Sequence, residues 1–257
     1  CFLRKTKQTH IFLSSKIYSM KIIFISLFLL LLNAVVFSQT ESKQVQMLDL
    51  SGSVGSSQGS FAASYIYNWQ LGKKQKFLIG AGARLTSYFG SNQYFITAPA
   101  KLTSGSTGPG VLFKENITAN IDSLLLSSTA INALNLSINL GYQLTSKVFA
   151  GFNIDAIGFS FGGERQAKYI NGTTVTNTTA KPTSFNALLV SDNDLGTLNS
   201  EFFITYKLKK NWSIKAGYQF LFTEYTTATN VQLLPEPNDR FRNKVSAFSL
   251  GVRYQLQ

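Results

Sequence analysis

Apolar side chains fall on alternate positions of this chain, repeatedly, in segments of about ten or more residues. Successive side chains of a strand point to opposite faces, so the alternation predicts strands with one apolar and one polar face. In SFAASYIYNWQL, Phe61, Ala63, Tyr65, Tyr67, Trp69 and Leu71 oppose Ser64, Asn68 and Gln70. In ALNLSINLGYQL, Leu134, Leu136, Ile138, Leu140, Tyr142 and Leu144 oppose Asn135, Ser137, Asn139, Gly141 and Gln143. Six more segments repeat the pattern, at 46–54, 76–89, 148–159, 201–208, 212–222 and 244–256. In the fifth segment along the chain, Val148, Ala150, Phe152, Ile154 and Ala156 form the apolar set. Strands of soluble domains are usually about five or six residues, whereas a tilted strand that crosses a bilayer needs about ten.

The connections alternate in length. Gly72-Lys73-Lys74, Thr145-Ser146-Lys147 and Lys209-Lys210-Asn211 read as tight turns. Between them lie long connections near 90–130, 162–197 and 226–243, and only the first loop, near 55–59, is short. Inside the second long connection, Asn171-Gly172 predicts a type I′ hairpin. NIDSLLLSSTAINAL reads equally as a short helix or as more strand, and QYFITA with GVLFKENITA would supply two further strands.

A soluble β-sandwich also alternates, but its outward face must be charged. Here the second face is mostly Ser, Asn, Gly and Gln, which suits a confined polar lumen. Aromatics gather near strand ends, at Trp69, Phe89, Tyr142, Trp212, Phe222 and Tyr254, where interfacial girdles lie. The predicted fold is all-β: an antiparallel up-and-down transmembrane β-barrel of about eight strands, or ten with the loop strands. Its short turns are expected in the periplasm and its long loops outside.

From Met20 the chain reads Met-Lys, an apolar run from Ile22 to Phe37, then Ser38-Gln39, the layout of a secretory signal. The expected division is an upstream over-translation at 1–19, a signal peptide at 20–38 and a barrel domain at 39–257. The one Cys, Cys1, and the one His, His10, both precede Met20. The barrel domain therefore has no thiol nucleophile, disulfide or imidazole ligand, and no metal or other cofactor is expected. A serine nucleophile needs a nearby base, most often His, so an enzyme is not expected either. Without Arg4, Lys5, Lys7, Lys16 and Lys21, 19 basic residues face 12 acidic ones, a net of +7 rather than +12. The lysines gather in turns instead of forming a basic stripe, which argues against nucleic acid as a partner.

The signal ending in Ser38-Gln39, the Tyr- and Asn-rich strands and the closing FSLGVRYQLQ resemble the small outer-membrane β-barrel proteins common in Bacteroidota, and by architecture the eight-stranded OmpA and OmpX type. The resemblance implies a bacterial outer-membrane location, with membrane lipid, lipopolysaccharide and the barrel assembly machinery as partners. Where the terminal residue of such families is usually aromatic, this chain reads Tyr254-Gln255-Leu256-Gln257.

By the alternation, Asp49, Arg84, Asp155, Glu201, Lys207, Lys215 and Arg253 point into the lumen. An eight-stranded lumen is filled by side chains, and unpaired charges there are costly. Asp49, Arg84, Asp155, Glu201, Lys215 and Arg253 are thus expected to form a charge network, either a structural plug or a gate. Two roles follow. One is a non-enzymatic structural or surface-interaction role, with Tyr94, Phe95, Phe113 and Tyr169 beside Lys101, Lys114, Arg165 and Lys168 in loops that would meet an extracellular ligand or partner protein. The other is narrow or gated porin-like passage of small solutes.

Overall fold

The structure, a computed structural model, describes residues 43–256. The segments assigned to over-translation and signal peptide lie outside the described residues. Eleven strands follow in order: β1 (Gln44–Val54), β2 (Gln58–Leu71), β3 (Phe77–Thr97), β4 (Ser123–Gln143), β5 (Val148–Phe161), β6 (Arg165–Asn171), β7 (Thr174–Pro182), β8 (Phe185–Ala187), β9 (Leu198–Lys207), β10 (Trp212–Thr227) and β11 (Arg240–Gln255). Eight of them close a ring in which every neighbour is antiparallel: β1, β2, β3, β4, β5, β9, β10 and β11, with β11 pairing back to β1. Each of the eight alternating segments lies along one strand of this ring. Closure removes the free edges, so every strand backbone finds partners on both sides.

The apolar face points outward. Leu136, Phe202, Phe248 and Leu250 are exposed, the last two by 80% and 72%. So broad a belt of exposed apolar side chains is stable in hydrocarbon and unstable in water, which makes the ring a membrane-spanning one. Turns at 72–76, 144–147 and 208–211 join strands at one end, where β1 begins and β11 finishes.

A β-bulge interrupts the alternation in β5. Ser137 pairs with Asp155 and Leu136 with Ile157, so Ala156 is the extra residue. The phase therefore changes after Ala156: Ile157, Phe159 and Phe161 face outward and Ser160 inward. Strict alternation carries the earlier phase through Ala156 and misses the change.

At the opposite end four strands stop and four continue. β1 and β2 are joined by a tight turn closed by Gly55 N–H on Gln58 O at 2.7 Å, and β5 and β9 also end here. β3 and β4 run on for 21 residues each, roughly 70 Å of strand at about 3.3 Å per residue. Their outer parts join β6, β7 and the ends of β10 and β11 in a second closed ring of six strands: β3–β4, β4–β6, β6–β7, β7–β10, β10–β11 and β11–β3. This smaller ring is a cap stacked on the barrel. Phe95, Leu124, Leu126, Tyr225 and Phe241 fill it and are fully buried.

The cap decides two alternatives that the sequence left open and corrects one expectation. NIDSLLLSSTAINAL is strand from Ser123 onward. QYFITA is the outer end of β3, while GVLFKENITA contains a short 3-10 turn at Pro109–Phe113, so the barrel has eight strands and not ten. The β6–β7 hairpin turns at Gly172-Thr173, between paired Asn171 and Thr174. Of these two turn residues only Gly172 has a positive φ, 56°, the pattern of a type II′ turn instead of type I′.

Candidate functional site

Inward positions alternate with the apolar belt, so the lumen is built from every second residue of eight strands. Its contents change with height. At the short-turn end Val45, Met47, Ile66, Leu78, Phe149 and Phe203 form an apolar floor. The Phe149 ring lies where a Cβ on Gly141 would fall, 2.0 Å away, and the Phe203 ring is 2.4 Å from one on Gly151. Only glycine leaves room for these two rings on the lumen wall.

Above the floor sits the first charge cluster. Asp49 and Arg253 are directly opposite across β1 and β11. Arg253 donates through Nε to Asp49 Oδ1 and through Nη2 to Oδ2, both at 2.6 Å. Lys215 Nζ lies 2.5 Å from Glu201 Oε2 and 3.4 Å from Asp49 Oδ2. Ser249 Oγ donates to Glu201 Oε1 at 2.5 Å. Both cations also sit over Phe203, Lys215 at 4.5 Å and Arg253 at 4.7 Å from the ring centre, so floor and cluster pack as one unit.

The second cluster surrounds Arg84. Its Nε donates to Asp155 Oδ1 at 2.8 Å, Nη1 to Asn153 Oδ1 and Nη2 to the Asn199 carbonyl, both at 2.6 Å. Asp155 Oδ2 accepts from Asn135 Nδ2 at 2.7 Å and from the Asn199 backbone N–H at 3.0 Å. Asn135 Oδ1 in turn accepts from Asn186, carried on β8, which takes the place of β9 beside the upper part of β5. Higher still, Ser53 and Ser60 donate to Gln219 Oε1 at 2.7 and 2.9 Å. Tyr88, Ile131, Leu221 and Val245 then continue into the cap core.

The structure pairs the six residues proposed for one network, but in two clusters. Asp49, Glu201, Lys215 and Arg253 form one cluster, Arg84 and Asp155 the other, and all six are buried. Three acids balance three bases, and each carboxylate contacts at least one cation. The arrangement satisfies the strict requirement for placing ions away from water, which is full pairing with additional hydrogen bonds. Lys207 keeps the inward parity but, unlike the six, is exposed at the short-turn mouth. There it lines a cavity of about 140 Å³ with Lys147, Thr205, Ser213 and Arg253.

Two sets of residues escaped the sequence reading. Phe149 and Phe203 hold inward positions next to inward glycines, a detectable signal because a bulky ring beside a missing Cβ fills a narrow lumen. Asn135, Asn153 and Asn199 complete the Arg84 cluster, yet their partners depend on register. The loop residues are also redistributed. Phe95 and Tyr169 are buried in the cap, while Tyr94 and Phe113 are exposed. Tyr169 O–H donates to Asp122 Oδ2 at 2.6 Å, and burial is the main cause that pushes its phenol up to about 12. Lys101 pairs with Glu236 at 2.6 Å.

A closed antiparallel register, a polar lumen and an apolar outer belt define a transmembrane eight-stranded β-barrel. Among solved structures the chain is similar to Neisserial surface protein A, at 11% identity over 83% of this chain and 96% of that chain with a TM-score of 0.35. It is similar to a major outer membrane protein from Thermus thermophilus, at 12% identity over 83% and 100% of the two chains with a TM-score of 0.37. A third is Ail, the attachment invasion locus protein of Yersinia pestis, at 9% identity over 84% and 100% with a TM-score of 0.35. No protein-family model matches the chain, and no curated protein matches it.

Proposed function

We propose that the protein is a non-enzymatic surface scaffold of the bacterial outer membrane, in which a plugged barrel anchors a rigid cap whose loops meet an extracellular partner or lipopolysaccharide. The observation that carries this reading is the filling of the lumen above the short-turn mouth by an apolar floor, two paired charge clusters and an apolar core continuous with the cap. A barrel filled in this way has little to offer a solute, whereas its cap presents Tyr94, Phe113 and Lys114 to solvent on a two-ring support. Export through the signal read at 20–38 and insertion by the barrel assembly machinery belong to the same proposal.

The competing reading is narrow or gated passage. It is favoured by the cavity of about 140 Å³ at the short-turn mouth, whose cations Lys147, Lys207 and Arg253 lead toward the first cluster. Passage beyond it would require Arg253 and Lys215 to leave Asp49 and Glu201, and Phe149 and Phe203 to turn aside. Such a gate would use the six network residues as moving parts.

Sidedness tests the scaffold directly. Phe113, 89% exposed in the cap, is replaced by cysteine in one variant and Ser146, in a short turn, in another. A membrane-impermeant maleimide is expected to label F113C on intact cells and S146C only after the outer membrane is permeabilised. Labelling in the opposite order would place the cap in the periplasm and remove the surface role.

A further inference from the structure

The turns at the short-turn end carry lysine and no acid. The β2–β3 turn holds Lys73, Lys74 and Lys76, the β4–β5 turn Lys147, and the β9–β10 turn, with the last residue of β9, holds Lys207, Lys209 and Lys210. These seven side chains occupy all three turns at the short-turn end, with Lys147 and Lys207 also lining the mouth cavity. Among the described residues none of them forms an ion pair, and all but the half-buried Lys76 are exposed. The cap end is mixed: there Lys101 pairs with Glu236, Lys244 with Asp192 and Arg240 with Glu224, while Lys114, Lys168 and Lys181 are exposed without an ion pair among the described residues and stand among acids such as Glu115, Glu164 and Asp239. What sets the short-turn rim apart is that its turns hold cations alone, with no acid among them.

That rim adjoins the membrane boundary. Trp69 and Phe77 flank the first turn, Tyr142 and Leu144 the second, Tyr206, Leu208 and Trp212 the third, and all are exposed. The Trp212 and Tyr254 rings lie 4.8 Å apart on the same outer face. Aromatic rings of this kind sit at the headgroup level, so lysines a few residues beyond them stand among the phosphates. Flexible ammonium groups within a Debye length of anionic headgroups are attracted to them in a salt-dependent way.

We infer that the lysine rim is a binding ring for anionic phospholipid headgroups of the leaflet at the short-turn end, of the phosphatidylglycerol type. The inference rests on the membrane-spanning barrel and is independent of the surface role proposed above. The ring selects lipid by charge, and it holds the barrel at a fixed depth because three turns around the circumference are tethered at one level.

The test is lipid selection by the full folded protein in nanodiscs of phosphatidylcholine with phosphatidylglycerol, read by electron paramagnetic resonance from spin-labelled forms of each lipid. Heat-modifiable gel mobility confirms that every variant is folded, which separates a failed barrel from a failed ring. The intact protein is expected to enrich phosphatidylglycerol by about threefold or more at low salt, and to lose most of that preference at high salt. The variant K73Q/K74Q/K147Q/K209Q/K210Q is expected to bring the preference close to one. A control with K101Q/K114Q/K168Q at the cap end keeps it. Equal partition of the two lipids around the intact protein overturns the inference, as does a preference that survives in the five-lysine variant or disappears in the cap variant. Rim-dependent capture by purified peptidoglycan sacculi without lipid preference would assign the ring to the cell-wall polymer and overturn it as well.

Discussion

Replacing Asp49 by Ala is expected to destabilise the folded barrel by about 3–5 kcal/mol, the range for removing one partner from a buried ion pair. Asp49 accepts both of the hydrogen bonds from Arg253 and also faces Lys215, and none of the three side chains is more than 6% exposed. Its loss leaves a guanidinium without a counter-ion above the Phe149 and Phe203 floor. Lys215 still has Glu201 at 2.5 Å, so the damage centres on Arg253. The measurement is the denaturant midpoint of the refolded protein in micelles, followed by gel mobility. The double variant Asp49→Leu/Arg253→Met removes both charges and is expected to recover most of the loss, because an apolar pair of similar volume is often neutral in such a site. A shift below about 1 kcal/mol for Asp49→Ala would mean that water reaches the cluster and that the pairing is not what closes the lumen.

Phe95→Ala is the second large effect, at about 3–5 kcal/mol for a fully buried ring. Phe95 packs edge-on against Tyr225 with ring centres 5.2 Å apart, and its neighbours Leu124, Leu126 and Phe241 come from other strands of the cap ring. The loss should therefore be local in consequence. Protease is expected to cut the β6–β7 hairpin or the 98–122 loop of the variant while the eight-stranded ring stays resistant. Digestion matching that of the unsubstituted protein would show that the cap does not depend on this core.

The eight membrane strands were legible because their periodicity is a property of each strand alone: one side meets hydrocarbon, and the other a polar lumen. The parity of Asp49, Arg84, Asp155, Glu201, Lys215 and Arg253 followed from the same rule. Their pairing did not, since Asp49 meets Arg253 only because β1 and β11 close the ring across 204 residues of chain. The bulge at Ala156 was hidden for a related reason: one extra residue leaves composition unchanged and shifts only the phase. The cap was the largest omission. Its strands face water outside, β7 is Thr-rich with little apolar contrast, and β11 meets β3 through just two residue pairs. Phe95 and Tyr169 consequently read as loop contacts, although strand pairing turns both inward.

That the lumen is closed is tested most directly by single-channel recording of the refolded protein in a planar bilayer, with heat-modifiable mobility as the folding control. A folded protein that leaves the bilayer silent at low and high applied voltage is the predicted result. Steady or switching ion conductance, altered when Glu201 or Arg84 is replaced, would contradict the scaffold and establish the charge clusters as a gate.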